Sequence, residues 1–301
     1  MRIIVYIAVT SIVITVFVLT RYYLLKKELK RAKKQLHELN NNRTEKKIDL
    51  AFFDKDIEKL VKEINNQIDV TKKANAEKRR KENELKLAIA NISHDIRTPM
   101  TSILGYIQFL ESEELSIEKK TEYTKVVKSG ALRLKALLED FFELSIIESA
   151  DYPLKPEKIT LNQLLLEVLV FFYEQFKQQG IEPILQIPDE EIDIIGDISA
   201  VKRVIENLVV NAIKHSKGNV TIRLEKLPSS VQLIISNTAE QLSEQEIDYL
   251  FDRFYKADKT RTEKSTGLGL AIAKSLMIKM SGTLTAHLKE NELFMICEWK
   301  R

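Results

Sequence analysis

Ile3–Thr20 is a run of apolar and hydroxyl side chains without a single charge. Its length is close to the roughly 20 residues that carry an α-helix across a hydrocarbon core. A cleaved leader has a shorter apolar region ending at small residues, whereas this run continues into Arg21-Tyr22-Tyr23. Arg21, Lys26, Lys27, Lys30, Arg31, Lys33 and Lys34 follow it, and only Arg2 precedes it. That asymmetry orients the chain after residue 20 toward the cytoplasm. The pattern therefore gives a single-pass membrane helix over 1–21, with input arriving through the membrane or from another protein.

Beyond it, 22–75 is polar, charged and nearly free of Gly and Pro. Leu36 and Leu39 close one helix, Asn40-Asn41-Asn42 breaks it, and Asp54, Ile57, Leu60, Ile64 and Ile68 begin another. A coiled-coil spacer and a helix–connector–helix relay both fit this stretch. From Leu85 the apolar positions Ile89, Ile92, Ile96, Pro99, Ile103, Ile107 and Leu110 alternate steps of four and three, the stripe of a helix in a bundle. A short loop, Glu111 to Ser116, leads to Tyr123, Val127, Leu134, Leu137, Phe141 and Leu144 at the same spacing. Two long helices with a short link make an antiparallel hairpin. One hairpin leaves apolar surface uncovered, so a homodimeric four-helix bundle over 76–151 is the economical arrangement. Asp151 to Pro156 then ends the helical region. In 156–301 the rhythm turns to mixed helices and strands. Helices fall at 161–179, 199–216 and 267–280; strands fall at 182–187, 220–227, 231–236, 283–288 and 293–299. This is an α+β sandwich.

Composition changes this picture little. With 47 basic and 44 acidic residues mixed along the chain, the net charge of +3 gives no footprint for nucleic acid. The one cysteine, Cys297, excludes an intramolecular disulfide and a thiolate zinc cluster.

The chemistry concentrates on the first bundle helix. At about 100° per residue, His94 stands roughly 200° from Ile92 and Ile96 and faces away from the stripe. Thr98 shares its face one turn on. Asp95 adjoins the imidazole, and Pro99 offers no N–H to the Asp95 carbonyl, so a bend is expected there. A second constellation lies on the 199–216 helix. Asn207 and Asn211 share a face, with Lys214 and His215 one turn on, a set able to meet phosphate oxygens and a hydrated Mg²⁺. Thr266-Gly267-Leu268-Gly269 opens the next helix, where backbone N–H groups and the helix dipole favour phosphate.

Together these runs resemble bacterial two-component sensor histidine kinases. H-D-I-R-T-P at His94 resembles their phospho-accepting box, and R-V-I-E-N-L-V-V-N-A-I-K-H-S resembles their N-box. Phe251-Asp252-Arg253-Phe254-Tyr255 resembles the F-box, and Thr266 to Leu270 the second glycine box. The resemblance implies a dimerisation and phosphotransfer domain followed by an ATP-binding domain of the kind shared with gyrase and the Hsp90 chaperones. It also makes 22–75 similar to the HAMP linker, without that family's proline. By the same resemblance His94 accepts the γ-phosphoryl of ATP, Asp95 acts as base and Thr98 orients water for the reverse, phosphatase reaction. Asn207, Asn211, Lys214, His215, Asn237, Phe254, Lys256, Thr266, Gly267, Leu268 and Gly269 would bind nucleotide, Asn207 and Asn211 also holding Mg²⁺. Partners would be a cognate response regulator, a second copy of the chain, the membrane and a neighbouring membrane transporter or sensor.

One box departs from the pattern. The first glycine box, D-x-G-x-G, falls on Asn237-Thr238-Ala239-Glu240-Gln241. Asparagine replaces the aspartate that takes the adenine amino group, and both glycines are absent. An amide that flips could serve adenine or guanine, so weaker ATP binding and poorer rejection of GTP are expected. A partly degenerate kinase acting mainly as a phosphatase, and a non-catalytic membrane scaffold, stay open as alternatives.

Overall fold

The computed structural model describes residues 2–40, 46–50, 55–111, 115–149, 151–216, 218–240, 242–256 and 266–300. Asn41, Asn42, Asp54, 112–114 of the loop between the bundle helices, Gln241 and 257–265 of the long polar stretch lie outside the described residues. The chain divides into two compact units, Met1–Lys86 and Leu87–Arg301.

The first unit holds α1 (Arg2–Asn40) and the opening half of α2 (Lys55–Leu110). The N-terminal stretch of α1 is long and apolar enough to cross a membrane, and its side chains are exposed. Between the two helices, Ile48 and Leu50 are buried with Val61, against Ala32, Leu36, Ile57, Ile64 and Ile68. Residues 46–50 belong to no helix or strand, so their backbone polar groups need other partners. Side-chain amides supply them. Asn65 accepts from the Ile48 N–H and donates to its carbonyl, both at 2.9 Å. Gln35 does the same for Asp49, at 2.9 and 3.1 Å.

In the second unit the last turns of α2 pair with α3 (Ile117–Glu148) as a hairpin. Ser116 caps α3 by accepting from the Lys119 N–H. The α-helix continues through Pro99, which is buried. Where the helices cross, Gly130 of α3 lies so close to Ile103 that a Cβ would stand 2.9 Å from its Cγ1. At the loop end Tyr106, Phe109 and Tyr123 cluster, with ring centroids 5.1–6.1 Å apart.

The α/β domain has a five-stranded sheet of order β2-β4-β5-β7-β6. Its strands are β2 (Ile184–Gln186), β4 (Val220–Lys226), β5 (Ser230–Thr238), β6 (Thr283–Lys289) and β7 (Glu292–Lys300). All pairs are antiparallel except β2 with β4. Two short strands, β1 (Glu157–Thr160) and β3 (Asp193–Gly196), pair separately. Helix α4 (Leu161–Phe171), α6 (Ile198–His215) and α8 (Gly269–Lys279) pack together, α6 over β5 and α8 over β6; α3 packs on α8. The sequence pattern gives one helix over 161–179. The structure breaks it at Phe172 and continues with α5 (Tyr173–Gln178), a turn that sends Phe172 and Phe176 into the core and leaves Phe171 outside. Strands β1 and β3 carry no periodic signal because each is four residues long. The core is continuous with the hairpin: Leu137, Leu144 and Ile147 of α3 are buried in the same cluster as α6, α8 and the sheet.

The Gly130 crossing yields a test of the hairpin. Gly130→Leu forces its side chain into Ile103 and the backbone behind it, and overpacking of this kind costs about 1–3 kcal/mol. Urea unfolding of the variant should show a loss of that size.

Candidate active site

Helix α6 carries two stripes. Ala200, Val201, Val204, Ile205, Leu208, Val209, Ala212 and Ile213 are buried against the core. Beside them, Arg203, Asn207, Val210, Asn211 and Lys214 repeat at helical spacing and line a cavity of about 310 Å³, within the usual range for small-ligand sites. The helix starts where Asp197 accepts from the N–H groups of Ser199 and Ala200, both at 3.0 Å.

The opposite wall is the end of β5 and the loop that leaves it. Asn237 is fully buried there, and its Nδ2 donates to the Thr238 carbonyl at 3.1 Å. Its Oδ1 has no partner among the described residues. A buried acceptor without a donor is costly, so this oxygen is the natural partner of a ligand N–H. The Thr238 bond also opposes the expected amide flip, which would set oxygen against oxygen. The loop is held at Ala239, where the first of the two glycines is missing, and again just beyond the box. Ala239 N–H donates to Asn291 at 2.7 Å, and Ser243 and Glu246 form a capping box on α7 (Glu244–Ile247).

Gly267 and Gly269 form the third side. Gly267 has φ +70°, and a Cβ there would sit 3.0 Å from the Phe254 backbone. At Gly269 a Cβ would stand 2.9 Å from Asn207 Oδ1, while Asn207 Nδ2 is buried with no partner among the described residues. The glycines thus leave a backbone-lined cradle with an orphan donor beside it, opposite an orphan acceptor. That set fits a nucleotide: an acceptor for an exocyclic amine at one end, donors for phosphate at the other. Two side-chain amides can offer oxygen to Mg²⁺ with phosphate and water completing its shell; no group of three His, Cys, Asp or Glu suited to a metal occurs among the described residues.

Of the residues expected to bind nucleotide, Asn207, Asn211, Lys214, His215, Asn237, Lys256, Thr266, Gly267 and Gly269 line this cavity. Phe254 and Leu268 do not; both are buried, Phe254 at φ 61° behind Gly267. Their role is to shape the wall. Burial lowers the pKa of Lys214, opposed by the charge of Asp140, and burial followed by the Lys214 charge lowers that of His215.

His94 lies on α2 with its side chain 74% exposed, and Nδ1 is 3.5 Å from Asp95 Oδ1. Thr98 donates its hydroxyl to the His94 carbonyl at 3.1 Å. Lys256, which lines the cavity, forms an ion pair with Asp95 Oδ2, and both side chains are largely buried. The phospho-acceptor candidate and the cavity are therefore neighbours. Sequence reading named Lys256 and Asp95 but missed a second set of residues that join acceptor and cavity. Asp140 of α3 lines the cavity; its Oδ1 accepts from Arg203 at 3.0 Å and its Oδ2 from Thr266 at 2.7 Å. Glu143 accepts from Arg203 Nε at 2.9 Å and from Nη2, the nitrogen it shares with Asp140, at 2.5 Å. Burial works against the Arg203 charge, but Glu143 and Asp140 outweigh it and hold its pKa above the usual value. The only sequence trace of this seam is that Asp140 and Glu143 stand three apart, outside the apolar stripe of α3.

Residues 84–150 match the family described as His Kinase A (phospho-acceptor) domain, and 196–297 match the Histidine kinase-, DNA gyrase B-, and HSP90-like ATPase family. The chain belongs to the two-component sensor histidine kinases. Among curated relatives, the sensor protein VanS of Enterococcus faecium is 29% identical over 244 residues, 76% of this chain and 63% of that protein. The sensor histidine kinase WalK of Bacillus subtilis is 31% identical over 225 residues, 72% of this chain and 36% of its own length. The chain thus spans under two thirds of VanS and about a third of WalK. Among solved structures, the histidine kinase ThkA in complex with response regulator protein TrrA shares the fold at a TM-score of 0.62. It is 23% identical, and the match covers 76% of this chain and 66% of ThkA.

The glycine cradle of this sensor kinase has a built-in control. Gly180 has nearly the same φ, +67°, but open space around it. Gly180→Ala should lose only the left-handed term of about 1–2 kcal/mol. Gly267→Ala, with backbone at 3.0 Å, should lose more in the same urea titration.

Proposed function

We propose that the chain is a membrane-bound, ATP-dependent protein-histidine kinase that phosphorylates itself on His94 and passes the phosphoryl group to an aspartate of a cognate response regulator. The observation carrying this reading is the pair of orphaned polar atoms, Asn237 Oδ1 and Asn207 Nδ2, at opposite walls of a glycine-edged cavity that abuts the His94–Asp95 pair. A bare scaffold would have no reason to leave buried amides unpartnered.

Each residue then has a task. Asn237 Oδ1 accepts from the adenine amino group, fixing the base. Asn207, Asn211 and Lys214, with the backbone around Gly267 and Gly269, hold the phosphates. Asn207 and Asn211 would hold Mg²⁺ through their amide oxygens, and the ion would supply charge neutralisation at the phosphate oxygens. Asp95 lies on the Nδ1 side of His94, which leaves Nε2 as the nucleophile. Nε2 forms the P–N bond as the bond from the γ-phosphorus to the β,γ-bridging oxygen breaks. ADP departs with that electron pair, and the Nδ1 proton moves toward Asp95. Positioning and charge neutralisation carry such a transfer. The Thr98 hydroxyl spends its proton on the His94 carbonyl, but its lone pairs can still hold a water for the phosphatase reaction.

The assembly is proposed as a homodimer, anchored by 1–21, with 22–75 as a HAMP-like relay, 76–151 as the phosphotransfer domain and 156–301 as the ATP-binding domain. A mainly phosphatase role draws on one observation, the pinned loop where the first glycine box has no glycines.

Given ATP and Mg²⁺, the protein should acquire phosphate that survives alkali and is lost in acid. His94→Gln should acquire none while keeping its thermal transition, because the side chain is exposed. Undiminished labelling of His94→Gln would move the acceptor elsewhere.

A further inference from the structure

The nucleotide reading leaves one feature unused: a carboxylate in the phosphate half of the cavity. Asp140 does not belong to the α/β domain at all. It comes from α3, yet each of its oxygens is bonded to a cavity group, Oδ1 to Arg203 and Oδ2 to Thr266. Glu143 takes Nε of the guanidinium and shares Nη2 with Asp140. On the far side of the same opening, Lys256 is committed to Asp95, the neighbour of His94. Beyond Asn207, Asn211 and Lys214, the groups Arg203, Thr266 and Lys256 are further cavity donors able to meet phosphate at this end. In the described arrangement all three are answered by carboxylates of the hairpin.

We propose that this seam is an autoinhibitory latch: Asp140 and Glu143 act as an internal stand-in for nucleotide phosphate, so hairpin docking and ATP binding compete for Arg203 and Thr266. This rests on the cavity being the nucleotide site. Closing the latch does two things at once. It occupies these three donors, and it ties up the Asp95 carboxylate that must assist His94. ATP brings several phosphate oxygens with more charge than two carboxylates, and it displaces Asp140 and Glu143 from shared donors. The freed domain then swings about the contacts outside the cavity, Arg253 with Glu148 at 2.6 Å and Lys279 with the Ser149 carbonyl at 2.6 Å. Signals that shift α3 change how firmly the latch holds, which makes hairpin geometry and nucleotide affinity two readings of one equilibrium.

The test is calorimetric titration of the full chain in detergent with ATP and with adenosine. Asp140→Asn is isosteric and should tighten ATP binding about tenfold, within the ordinary range of coupling between sites. Glu143→Gln should do the same to a smaller degree, giving a second arm if one variant is poorly folded. Adenosine lacks the competing phosphates, so its affinity should not move in either. Glu139→Gln removes an equal charge from an exposed site on α3, paired with Lys135, and should leave ATP affinity unchanged. Three results would overturn the latch: unchanged or weaker ATP binding by both variants, an equal gain for adenosine, or an equal gain from Glu139→Gln. Failure of the unmutated chain to bind ATP at all would instead remove the nucleotide reading on which the latch stands.

Discussion

One guanidinium joins the two working parts of this chain. Arg203 stands at the end of the polar stripe of α6, and it spans Asp140 and Glu143 on α3 with four hydrogen bonds of 2.5–3.1 Å. Planar, forked donors suit two carboxylates in this way and lysine would not. The seam has a hydrophobic floor, since Leu144 and Ile147 of α3 are buried in the same core as α6 and α8. Ion pair and core together set the cavity beside His94. Without them α6 would still present its amides, but away from His94.

How much of this is legible in the sequence depends on range. The hairpin stripes, the two-asparagine face and the glycine box are local patterns, and a 3.6-residue period displays them directly. The Arg203–Glu143 contact spans 60 residues and the Lys256–Asp95 contact 161. Nothing periodic connects such positions; each reads as an ordinary solvated charge until the fold supplies its partner. The same holds for β1 and β3, whose pairing rests on position. Asn162 of α4 carries no signal in the sequence, yet it is buried, donates to the carbonyls of Pro188 and Glu190 and accepts from the Ile192 N–H, fixing the entry to β3. Phe254 and Leu268 show the converse. Both sit inside boxes that read as nucleotide-binding, yet the packing turns them to the wall.

The altered glycine box shows how substitution at one level is absorbed at another. Two glycines would leave the loop after β5 free to adopt unusual backbone angles. Here Ala239 is tied to Asn291, and the Ser243–Glu246 box organises the next turn. Asn237 gives up the charge of an aspartate but keeps an oriented oxygen, because its amide nitrogen is held by Thr238. The site has exchanged loop freedom and charge for a fixed, neutral acceptor.

The central claim is that hairpin and α/β domain are held together through Arg203. A double-mutant cycle with Arg203→Ala, Glu143→Ala and the pair, followed by urea unfolding, measures this directly. Groups in direct contact couple by about 0.5–3 kcal/mol, while independent sites add to within roughly 0.5. The account predicts a coupling on the order of 1 kcal/mol or more. Strict additivity would contradict it and would mean that α3 does not rest on α6 in solution.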